Sequence, residues 1–136
     1  MIDQKKVEYD INVVRDIADR IVYLNKERSI AIIKIDHETR GDLYNSLDIT
    51  IKSSKTSVTF NCYAILGFCL WHHTNKVLMI HNHPNEYCIA SEDDVWEACD
   101  LRKELKEFNV TLLDSVIVTK DDMWSIAEHN WKFIKP

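Results

Sequence analysis

The chain has 136 residues, 46% of them hydrophobic and 29% charged, enough for one core of ordinary size without disulfide support. A net charge of −5 argues against non-specific nucleic-acid binding, which needs many neutralised phosphates, and the longest apolar runs are too short to span a bilayer. The N-terminus, Met1-Ile2-Asp3-Gln4-Lys5-Lys6, lacks the apolar segment of a signal peptide, which sets the expectation of a cytoplasmic protein.

Val13, Val14, Ile17, Ile21 and Leu24 recur at helical spacing, predicting an amphipathic helix from about Ile11 to Lys26. Ser29 to Asp36 reads as a buried strand, and the polar stretch His37 to Asp42 reads as a turn. Leu43 to Lys52 returns as a second strand, with a short extended piece over Thr56 to Phe60. Cys62 to His73 has the pattern of a helix and leads into a strand over Lys76 to His83. Ser91 to Asn109 is the clearest helix, with Val95, Cys99, Leu101 and Leu105 on its apolar face. Thr111 to Thr119 and Met123 to Ala127 close the chain as a hairpin. A single sheet packed by helices suits this order. Residues 1–28 are expected to form an N-terminal helix packed on a single globular domain over 29–136.

The chemistry lies in one segment. His81-Asn82-His83-Pro84 is followed by Ser91-Glu92-Asp93-Asp94, giving H-x-H-P-x6-S-x-x-D. On a strand, side chains at i and i+2 share a face, so both imidazoles converge while Asn82 points away. Ser91 has the character of a helix N-cap that brings Asp94 round on the first turn. Two His and one Asp hold zinc with the fourth tetrahedral position open to water, the pattern of a catalytic site.

These residues resemble the metal motif of the JAB (JAMM or MPN+) metallohydrolases, and His81-Asn82-His83-Pro84 is most similar to the RadC-like branch. Leu113 to Val118 resembles the strand after the metal helix in that branch, and Trp124 to His129 its closing segment. The resemblance runs from about Ser29 to Trp131. It implies an α/β fold: a JAB/MPN-like mixed β-sheet packed by about three helices, with the metal site at one edge. It also implies a zinc metallopeptidase or isopeptidase acting on a protein or peptide. Longer RadC-like proteins carry an N-terminal helix-hairpin-helix region, for which this chain has no room, so no DNA role is expected.

In such enzymes an upstream strand glutamate takes the proton of the attacking water. Counting back from His81 without a gap puts that position at Asp48, a carboxylate one methylene shorter, with Glu38 and Glu86 as substitutes. Ser91 matches the serine that supports the oxyanion. A second reading, a metal-binding JAB-like interaction module of impaired activity, rests on that apparent loss of the glutamate. Cys62, Cys69, Cys88 and Cys99 form no C-x-x-C pair and read as free thiols, while His37, His72, His73 and His129 read as surface residues. Trp96 and Trp124 read as packing residues. Substrate and oligomeric state are not legible.

Overall fold

The computed structural model describes residues 2–37, 41–84 and 87–131. The elements are α1 (Ile11–Ala18), β1 (Ser29–His37), β2 (Gly41–Asp48), β3 (Thr50–Ser53), β4 (Val58–Phe60), α2 (Cys62–Trp71), β5 (Lys76–Asn82), α3 (Glu92–Glu107), β6 (Thr111–Val118), β7 (Met123–Ser125) and α4 (Ile126–His129). One five-stranded sheet has the order β2-β1-β5-β6-β7, and β3 and β4 form a separate two-stranded sheet. Only β5 and β6 run parallel in the main sheet, joined by a crossover through α3, so the sheet is mixed. This is the expected mixed α/β architecture.

Period-two alternation divides the core into two layers. Leu78 and Ile80 of β5 join Ile30, Ile32, Val116 and Val118 beneath α1. Val77 and Met79 face the other way, with Ala31, Ile33 and Leu112, against Ile65 and Cys69 of α2 and Leu101 and Leu105 of α3. From Val77 to Asn82 every residue of β5 is buried, as its unbroken apolar run requires of a central strand covered on both faces. Each such aliphatic side chain contributes roughly 1.5–3 kcal/mol of burial.

Several boundaries differ from expectation for local reasons. α1 ends at Ala18, and the chain continues through turn-type bonds such as Arg20 N–H to Ile17 O (3.1 Å), which still bury Ile21 and Val22. The apolar spacing therefore outlasts the helix. The long second strand breaks at Ile49, which turns inward and donates its N–H to Ser29 O at 3.0 Å. Asp48 Oδ1 accepts the Thr50 N–H at 2.9 Å, setting the bend between β2 and β3. α2 ends at Trp71, where His73 adopts a left-handed φ of 53° and Thr74 N–H reaches back to Cys69 O at 3.0 Å. The second arm of the terminal hairpin stops at Ser125, whose hydroxyl accepts the Glu128 N–H at 3.0 Å and caps the single turn α4. The expected turn over His37 to Asp42 falls on residues 38–40, outside the described residues.

The N-terminal segment is fastened to the sheet by a buried polar node. Asp114 of β6 is fully buried and accepts the Tyr9 hydroxyl at 2.5 Å, the Ser125 hydroxyl, Ser115 N–H at 2.7 Å and Ala127 N–H at 2.9 Å. Arg15 of α1 adds a bond from its guanidinium to Thr119 O at 3.0 Å. Among the described residues no helix is long and apolar enough to cross a membrane.

Candidate metal centre

The site forms where β5 runs out at the rim of the sheet. His81 continues the Val77–Met79 face, so its imidazole lies on the α3 side, and His83 follows two residues on. Ser91 caps α3: its hydroxyl accepts the Asp94 N–H at 3.1 Å, and Asp94 Oδ2 accepts the Ser91 N–H at 2.9 Å. This reciprocal box aims the Asp94 carboxylate back at the strand.

The convergence is tight. His81 Nε2 lies 3.1 Å from His83 Nε2. Asp94 Oδ1 is 3.3 Å from His81 Nε2, and Asp94 Oδ2 is 3.1 Å from His83 Nε2. Ligands about 2.0–2.1 Å from a tetrahedral zinc ion stand roughly 3.3 Å from one another, so the donors present fit the metal. His83 Nδ1–H donates to the Tyr87 carbonyl at 2.9 Å, so when the imidazole is neutral its lone pair lies on Nε2, the nitrogen aimed inward at the other donors.

A fourth group joins them that sequence reasoning missed. Glu27 Oε1 lies 3.8 Å from His81 Nε2 and 3.7 Å from His83 Nε2, and the ligand atoms of Glu27, His81, His83 and Asp94 all fall within 4.8 Å of one another. Glu27 is 3% exposed, and its Oε2 is buried without a hydrogen-bond partner. An orphaned carboxylate oxygen beside three convergent donors is an arrangement that calls for a cation or a proton.

Asn82 explains how Glu27 is held there. Between the two histidines it points to the opposite face and is 1% exposed. Its Oδ1 accepts the Arg28 N–H at 2.7 Å, and its Nδ2–H donates to Lys26 O at 2.9 Å. The peptide on either side of Glu27 is thus clamped, while Glu27 N–H donates to Ser54 O at 2.8 Å. The signal for Glu27 was one of register: Ser29 pairs with His81, which sets the residue two before it opposite His83.

Asp48 stands outside this cluster, contrary to expectation. Its Oδ2 accepts two bonds from the Arg28 guanidinium at 2.9 and 2.7 Å, and its side chain is 39% exposed. The ungapped count back from His81 follows the chain rather than the sheet, and so reaches a strand whose end faces Arg28. Glu38 and Glu86 lie outside the described residues. Trp96, expected to pack, is 64% exposed, whereas Trp124 stacks on His129 with ring centroids 3.8 Å apart.

The electrostatics follow from burial and pairing. Burial raises the Glu27 carboxyl above its usual range, opposed by His81 and His83 and reinforced by Asp94. Burial also pushes Asp94 upward, but hydrogen bonds from His81 and His83 outweigh it and hold that carboxyl well below the usual range. For His83 burial works downward, and Asp94 with the Tyr87 carbonyl raises it overall. The cluster opens into a cleft lined by Glu27, Lys55, Thr56, His83, Tyr87, Ser91 and Asp94. One wall is therefore the turn between β3 and β4.

A mixed α/β sheet with two histidines, two acids and an open cleft at its rim defines a candidate metal-binding protein. The RadC-like JAB domain model matches residues 12–131, and the chain belongs to that family. Among curated proteins it is 36% identical over 62 residues to a UPF0758 protein of Pseudomonas entomophila, covering 46% of this chain and 27% of that relative. A UPF0758 protein of Pseudomonas fluorescens is 29% identical over 86 residues, covering 63% of this chain and 38% of the relative. One from Fusobacterium nucleatum is 30% identical over 53 residues, or 39% and 23% of the two chains. The chain thus spans well under two thirds of the length of these relatives.

Proposed function

We propose that the protein is a zinc-dependent hydrolase of amide or isopeptide bonds in a protein or peptide substrate. His81, His83 and Asp94 hold the metal, Glu27 carries the proton, and Ser91 steadies the oxyanion. The observation that carries this reading is the triangle of donors 3.1 to 3.3 Å apart with the unpartnered Glu27 carboxylate beside it. A bound zinc ion would supply Lewis-acid polarisation of the scissile carbonyl and make a water molecule more acidic.

The chain's own groups divide the remaining work. Glu27 Oε2 has no donor to satisfy it, so it is free to accept a proton from the attacking water and return it to the leaving amine. Ser91 Oγ accepts from the Asp94 amide and keeps its own hydroxyl proton to offer a developing oxyanion in the cleft. Asp48 has no part in this account. The alternative, an impaired metal-binding module, rested on a missing glutamate, and Glu27 supplies the carboxylate. Four free cysteines support a reducing, cytoplasmic setting.

The test is cleavage of isopeptide-linked and linear peptide pools by zinc-loaded protein, read by mass spectrometry. Wild type should cleave, and Glu27→Gln should bind zinc without cleaving. A Glu27→Gln protein that cleaves at the wild-type rate contradicts the assignment.

A further inference from the structure

Helix α2 is apolar on every side, and its ten residues, Cys62 to Trp71, include no charge. A helix of that kind is normally covered all round. Here Ile65 and Cys69 enter the core, while Tyr63, Leu70 and Trp71 stand 76%, 77% and 81% exposed. Together with Gly67 they make one stripe at helical spacing along the outer face. Leu43 and Leu47 of the edge strand β2, 37% and 40% exposed, pair with Ile35 and Ala31 and so emerge on the same side of the sheet. Asn45 between them touches His72 at 3.4 Å, which joins the two patches. Trp71, at the end of α2, leads into the start of β5, whereas His81 and His83 stand at the other end of that strand.

We propose that this face is the contact of a two-fold homodimer, with α2 crossing α2 of a second copy at Gly67. The stripe is self-complementary. Gly67 leaves a notch, with nothing within 4 Å of where a Cβ would sit, and Tyr63 and Trp71 stand one helical turn to either side. An identical helix crossing antiparallel sets Gly67 on Gly67 and Tyr63 against Trp71 of the partner subunit, an isologous arrangement. Charge does not oppose self-association at this face: the protein carries −5 overall, yet the helix brings no charge to meet its like. At those exposures Tyr63, Leu70 and Trp71 offer roughly 500 Å² per protomer, or about 1,000 Å² for the pair. That is the lower limit of a specific interface, before Leu43 and Leu47 are added.

The test is sedimentation velocity over a concentration series on the full chain, paired with oxidative cross-linking. The wild type should sediment as a dimer and Trp71→Glu as a monomer with an unchanged circular dichroism spectrum. Gly67→Cys, for which the protomer has open space, should give a disulfide-linked dimer under conditions where the wild type, with its four native thiols, does not. A monomeric wild type overturns the proposal, and leaves the stripe to a different protein. A folded Trp71→Glu variant that remains dimeric overturns it as well. Should Trp71→Glu fail to fold, the Gly67→Cys result decides: cross-linking no faster than wild type contradicts the α2 contact.

Discussion

Two buried carboxylates set the terms for this molecule. Asp114 and Glu27 are both closed to solvent, at 0% and 3% exposure. Asp114 accepts four donors, two hydroxyls and two backbone amides, and ties Tyr9, β7 and α4 to the sheet. Glu27 is held just as firmly through its backbone, yet one of its oxygens meets no donor at all. Here the carboxylate that ties the fold together is saturated, whereas the one beside the convergent histidines is left incomplete. The same contrast separates Glu27 from Asp48, whose oxygens are taken up by Arg28 and Thr50.

The strongest way to break this comparison is to empty each buried site. Asp114→Ala strands two hydroxyls and two amides and should cost roughly 3 kcal/mol or more in urea-induced unfolding. Glu27→Gln should cost little or even stabilise the metal-free protein, because it removes a buried charge with an unpartnered oxygen. Equal losses in the two variants would erase the distinction.

Asn82 sharpens the contrast at intermediate size. Asn82→Ala deletes two buried bonds to the peptides flanking Glu27 and should cost about 2 kcal/mol. It should also slow cleavage while the His83 and Asp94 donors, which rest on Tyr87 and Ser91, keep their zinc. Retention of full activity would show that Glu27 needs no such clamp.

Thiol reactivity gives a pH-dependent check on burial. Burial, with Glu104 alongside, pushes the Cys62 thiol up to about 11, and burial alone pushes Cys69 to about 11, against 9 for a free thiol. A raised pKa means less thiolate at any given pH, so alkylation of both at pH 8 should be about a hundredfold slower than in urea. Peptide mapping after a timed pulse would reveal it. On the denatured, unreduced protein all four thiols should be countable.

The smallest effect belongs to Asp48. Its pair with Arg28 is about one third exposed on each side, so Asp48→Asn should cost under about 1 kcal/mol and leave zinc binding and cleavage unchanged. Loss of cleavage in that variant would return the proton-carrying role to Asp48.

The sequence was informative where chemistry and period coincide. H-x-H on an apolar run specifies one face of one strand, and Ser91 three residues before Asp94 specifies a capped helix, so His81, His83 and Asp94 could be grouped without coordinates. Glu27 could not, because its role depends on which strand lies beside β5 and in what register. Counting along the chain reached Asp48, while pairing across the sheet reaches Glu27. The ends of α1 and of the second strand escape the apolar spacing for a related reason. Ile21, Val22 and Ile49 are as buried as residues inside the elements, but turn hydrogen bonds carry them.

Zinc stoichiometry tests the central claim most directly. Protein purified without added metal, reloaded with zinc and freed of excess should carry one ion per chain by mass spectrometry of the metal. Glu27→Gln and Asp48→Asn should match it, and His83→Ala should carry essentially none. Full zinc content in His83→Ala would contradict the site described here.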